Sequence, residues 1–141
     1  MKRPGCILPT MMLSMFVLLA VAIGNAQYEN QILKVKIPFD FSIGRQSFPA
    51  GEYTLKRSLQ HTMLLRNHRG QVLTSIATNS VESREAPRSV KVVFNGYSGR
   101  YFLGEVWEAG NSNGQQVIKS PVEIEIAKHP PGLTAVSLVT H

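Results

Sequence analysis

The sequence predicts an all-β domain, a single antiparallel β-sandwich or small β-barrel, behind an N-terminal signal peptide. Three observations carry that prediction. Beyond the leader, apolar residues recur with a period of two, not 3.6. Turn residues (Gly, Pro, Asn, Ser) separate the apolar runs at intervals near ~8–12 residues. No segment of the remaining chain carries a convincing helical stripe.

The leader is residues 1–26. Lys2 and Arg3 form a basic start, an apolar run extends from Cys6 to Ile23, and Gly24-Asn25-Ala26 supplies the small residues of a cleavage site. As an uncleaved anchor the run is only just long enough, since a spanning helix wants ~20 residues. Cleavage after Ala26 leaves residues 27–141 as one β-rich domain, exported to the periplasm or the medium, with no membrane span. The one cysteine, Cys6, leaves with the leader, so stability rests on packing and hydrogen bonds without a disulfide.

Two of the positive charges in the net +6 also belong to the leader. The other basic residues are scattered among Glu along the chain. That pattern gives loose attraction to an anionic envelope polymer or glycan. It lacks the basic stripe with interleaved aromatics that nucleic-acid binding needs.

The first strand is predicted over 33–43, where Leu33, Val35, Ile37, Phe39, Phe41 and Ile43 share one parity. Pro38 has no N–H to donate, which places this strand at an edge or gives it a bulge. Phe48-Pro49-Ala50-Gly51 suits a type I turn, and Glu52–Lys56 returns as a second strand. Residues 62–66 and 71–78 flank a hairpin loop at Asn67–Gly70. Val81–Pro87 reads as a polar loop. Ser89–Phe94 alternates and runs into a turn centred on Asn95-Gly96 or on Ser98-Gly99. Either choice puts Val90, Val92 and Phe94 on one face with Tyr101 and Leu103. Arg100–Trp107 is apolar on both parities and is therefore central. Ala109–Gly114 is a flexible loop, Val117-Ile118 starts a strand, and Val122, Ile124 and Ile126 alternate with Glu123 and Glu125 as a further one. Leu133–Thr140 is the last β-prone run. An eight-stranded transmembrane barrel is the rival architecture, but it needs ~9–11 residues per strand.

Ile37-Pro38-Phe39-Asp40-Phe41, Pro49-Ala50-Gly51-Glu52-Tyr53, Leu64-Leu65-Arg66, Ser83-Arg84-Glu85 and Arg100-Tyr101-Phe102-Leu103 with Trp107 downstream fall in one order. That order, over residues 35–107, resembles a family of small exported bacterial β-proteins of uncharacterised function. The resemblance implies an envelope or secreted location and a single β-domain, and it assigns no catalytic residue. The family pattern has a short, charged, helix-like tail, from which this chain departs after Ser120.

No catalytic motif emerges. Glu123 and Glu125 sit two apart on a predicted strand, beside each other on a solvent face, which is not how a glycosidase holds its acid and base. Glu105 interrupts an apolar strand and becomes a site candidate if buried. His61 and His68 stand at opposite ends of one strand, and with no Cys or close His spacing no metal site or cofactor is expected. There is no Gly-x-Ser-x-Gly elbow and no phosphate-cradling loop. The aromatics offer two readings. They fill the core, or Tyr97, Tyr101 and Trp107, with Glu105, contact a glycan. The expected function is a non-catalytic, exported binding or structural module. The alternatives are a β-barrel carrier ringed by Phe39, Phe41, Tyr101 and Trp107, and a small hydrolase using Glu105.

Overall fold

The computed structural model describes residues 32–129 and 134–140. The signal peptide predicted for 1–26 lies outside the described residues. Within them the fold is all-β with one short helix. The strands are β1 (Ile32–Ile37), β2 (Phe41–Ile43), β3 (Gln46–Phe48), β4 (Gly51–Leu59), β5 (Thr62–Asn67), β6 (Val72–Glu82), β7 (Val90–Tyr97), β8 (Arg100–Trp107), β9 (Asn113–Val117) and β10 (Thr134–Thr140). The helix, α1, is Pro121–Ala127.

The strands form one continuous sheet in the order β1-β4-β5-β6-β9-β8-β2-β3, with β7 beside β8 and β10 beside β7. All pairings are antiparallel except the single contact of β2 with β8, at Ser42 and Phe102. The strand β6 is shared between two halves. Its residues 72–77 pair with β5, and Thr78–Glu82 pair with β9. At the changeover Thr78, 1 % exposed, donates its hydroxyl to the Gln115 side chain at 2.6 Å. No helix among the described residues is long and apolar enough to cross a membrane.

The alternation seen in the sequence is the core. Leu33, Val35 and Ile37 of β1, Tyr53 and Leu55 of β4, and Met63 and Leu65 of β5 meet Val92 and Phe94 of β7 and Leu103 and Val106 of β8. Phe41 packs edge-on to Tyr53 and Phe94, with ring centroids 5.2 and 5.6 Å apart.

Several expectations are corrected. The predicted 33–43 strand breaks at Pro38–Asp40, because Pro38 cannot donate to a ladder. Its second half, β2, turns through Gly44 (φ 61°) and Arg45 into β3, a strand not foreseen. Asp40 has a structural partner: its Oδ1 accepts the Ala50 N–H at 3.0 Å, tying the break to the Pro49–Gly51 turn. Between β7 and β8 the turn is Ser98-Gly99, with φ of 50° and 81°. The polar loop predicted from Val81 starts two residues later, and β9 begins at Asn113, inside the predicted flexible loop.

The largest correction is at 121–127, predicted as a strand and found as a helix. Ser120 caps it, its Oγ accepting the Glu123 N–H at 3.2 Å, and Pro121 occupies the first turn. Ser-Pro-x-Glu is a helix-start signature. Glu123 is consequently not on a solvent face: it is 3 % exposed and accepts from Tyr97 Oη and Asn95 Nδ2, both at 3.3 Å.

A bulge moves Trp107. Phe94 faces Leu103 but Val93 faces Glu105, leaving Gly104 as the extra residue on β8. Past the bulge, Val106 takes over the core face. Glu105 and Trp107 join Phe102 on the opposite one, whereas parity alone groups Trp107 with Tyr101 and Leu103.

Candidate functional site

The β4–β5 hairpin is strongly basic: between Gly51 and Gly70 stand Lys56, Arg57, Arg66 and Arg69, with Glu52 the one acid. Pairing across the hairpin sets Lys56 opposite Leu64 and Thr54 opposite Arg66. Lys56 and Arg66 are therefore diagonal neighbours on one face, at a typical side-chain spacing of ~7–8 Å, where like charges repel. Arg57 has the other parity. The register shifts by one residue between Arg57 and Leu59, and such a bulge twists a strand and re-aims its side chains. A second shift, between Leu65 and Arg66, leaves Leu73 of β6 unpaired beside Arg66.

All three cations line one open cleft of about 840 Å³ with His61. Ser58, Gln60, Ser80 and Gln115 supply its neutral polar groups, and Leu59 and Leu64 its apolar ones. No carboxylate lines it. Glu108 Oε1 lies 3.7 Å from Arg57 Nη2. Among the described residues no ion pair joins Lys56 or Arg66 to a carboxylate. The Nε atoms of Arg57 and Arg66 are both cut off from solvent and meet no acceptor among the described residues. A desolvated N–H without an acceptor costs about 1–3 kcal/mol, more when charged.

The side chains singled out in the sequence do not converge. Tyr97 is buried, edge-on to Phe102 at 6.0 Å, with its hydroxyl on Glu123. Tyr101 lies across Phe39 at 4.4 Å, packed against the core. Trp107 stands at the other end of β8, six residues from Tyr101 or ~20 Å along a strand. It is 9 % exposed, and its indole N–H donates to Glu105 Oε2 at 2.9 Å. Glu105 and Trp107 do share a smaller cleft, about 360 Å³, with Ser83, Glu85, Arg88 and Lys91. Of the other carboxylates, Glu125 pairs at the surface with Lys128 (3.1 Å) and His129 (3.8 Å), and Glu108 pairs with Arg57 (3.7 Å). Among the described residues no group of three or more His, Cys, Asp or Glu could hold a metal.

The cationic cleft was hidden in the sequence because Arg66 stands nine and ten residues from Arg57 and Lys56 and meets them only through register. The usable signal was Lys56 and Arg66 flanking the hairpin turn of KRSLQHTMLLR. No family model, curated protein or solved structure matches the chain.

Proposed function

We propose that the chain is an exported, non-catalytic binding module whose ligand is anionic and occupies the cleft at the tip of the β4–β5 hairpin. One observation carries this reading: an open cleft of about 840 Å³ is lined by Lys56, Arg57 and Arg66 and by no carboxylate. The leader-like residues 1–26 and the resemblance over residues 35–107 support export. Two features weigh against the alternatives. Rings fill the space an apolar carrier would need to leave open, with Phe39 and Phe41 each against Phe94. Glu105 is engaged by Trp107 and Glu123 by Tyr97 and Asn95, which leaves neither as a free acid–base pair.

The test is electrophoresis through gels containing dextran sulfate or plain dextran. Lys56→Gln/Arg66→Gln is compared with Lys34→Gln/Lys36→Gln, which removes the same charge from the exposed edge of β1. The expected result is retardation by the polyanion that the cleft pair loses and the edge pair keeps. Equal loss in both pairs reduces the attraction to net charge and overturns the reading. So does turnover of a glycoside substrate that disappears in Glu105→Gln.

A further inference from the structure

The cleft holds more than charge, and its other groups narrow the ligand. We infer that it takes an acidic glycan, a linear sugar chain bearing carboxylates, with Arg66 and Arg57 each reading one carboxylate. The inference rests on the reading of the cleft as an anion site and names the ligand class.

Three observations point to it. First, the two arginines spring from separate positions of the hairpin. Arg57 faces Met63 and Arg66 faces Thr54 in the hairpin ladder, so the two lie three residues apart along β4. That is ~10 Å of strand, with Arg57 Nη2 3.7 Å from Glu108. Two sites so placed suit charges repeated along a polymer better than one compact anion. Second, two of the three cations that line the cleft are arginines. The paired Nη–H groups of a guanidinium make a planar fork that matches the two oxygens of a carboxylate. Third, the space around the cations is lined by Ser58, Gln60 and Ser80, hydroxyls and an amide that both donate and accept, while the Gln115 amide is engaged by Thr78 and Gly114. Sugar hydroxyls need both. Leu59, 69 % exposed, offers an apolar platform for the C–H face of a ring. An open cleft of about 840 Å³ admits a chain, whereas a small-anion site closes around its ligand.

The experiment is titration calorimetry of the full exported protein with oligogalacturonate. The comparison probes are the same oligomer fully methyl-esterified and inorganic phosphate. The acid oligomer is expected to bind, the ester and phosphate at least tenfold more weakly, and affinity to fall as salt is raised. Arg66→Gln is expected to cost tenfold or more, and Arg66→Lys to recover only part, because a lysine restores the charge without the fork. Circular dichroism melting checks that each variant is folded. Binding of the ester as tight as that of the acid overturns the inference, as does phosphate competing one-for-one at equal affinity. Retardation by dextran sulfate with no preference for oligogalacturonate leaves the anion-binding reading standing and removes the glycan. Absence of both removes the two together.

Discussion

Gly114 lies against the face of Trp107, and the contact sets a measurable limit on β9. A Cβ built at Gly114 comes to 2.5, 2.6 and 2.8 Å from three atoms of the indole. These are separations real side chains do not adopt, so something must move. The backbone is held on one side by pairing of Gly114 with Val81. The ring is held by the 2.9 Å hydrogen bond from its N–H to Glu105. Overpacking of this kind costs about 1–3 kcal/mol. Sliding the indole off Glu105 adds about 1.5–3 kcal/mol for a bond to a charged group. Against this, alanine restricts the unfolded chain and returns about 0.4–1 kcal/mol. Gly114→Ala is therefore expected to lower unfolding free energy by about 1.5–5.5 kcal/mol, or Tm by ~6–22 °C for a domain of this size. Trp107 is the chain's one tryptophan, so its fluorescence during urea unfolding reports both stability and ring environment. A Tm within about 2 °C of the parent, with unchanged emission, refutes the packing argument. Strain is no escape, because Gly114 is not at positive φ.

Two further outcomes follow from particular contacts. Ser120→Ala removes the cap of α1 and is expected to cost about 1 kcal/mol, with faster amide exchange at Glu123 and Ile124 by NMR. No change in exchange there would mean that the helix is held by Glu123 alone. The Tyr53 hydroxyl donates to the Pro49 carbonyl, and its pKa is raised, mainly by burial and secondly by the Asp40 charge. A raised value means the unfolded chain ionises first, near pH ~10, so the stability this group contributes is intact below pH ~10 and is lost as pH rises through the folded value. Urea midpoints measured between pH 8 and pH 11.5 are expected to fall more steeply in the parent than in Tyr53→Phe.

What could be read from the sequence was whatever depends on local alternation. Leu33, Val35 and Ile37 were on the buried face because parity survives any error in strand ends. The two-sided burial of β8 was legible from RYFLGEVW for the same reason. Failures came where a single residue changes the count. Gly104 inserts one position into β8 and moves Trp107 to the opposite face; an isolated Gly inside a strand run often marks a bulge, and a count by parity alone passes over it. VEIEI alternates perfectly, yet Ser120 and Pro121 start a helix there. The cap signal was present, and the period-two pattern over five residues masked it. The cationic cleft was the least legible feature, since the convergence of Lys56, Arg57 and Arg66 depends on two register shifts that only the folded sheet defines.

The strand β6, shared by the two halves of the sheet, also runs through the cleft. Lys56, Arg57 and Arg66 come from the half that pairs with β6 before Thr78. Ser80 and Gln115 come from the half that pairs after it. A ligand bridging these groups binds only when both halves are assembled around β6. By mass action it stabilises that assembly by RT ln(1 + [L]/Kd), about 2.7 kcal/mol at a hundredfold excess over Kd. Occupancy and integrity are then one equilibrium. Resistance to unfolding should rise wherever the polymer is abundant and fall where it is not.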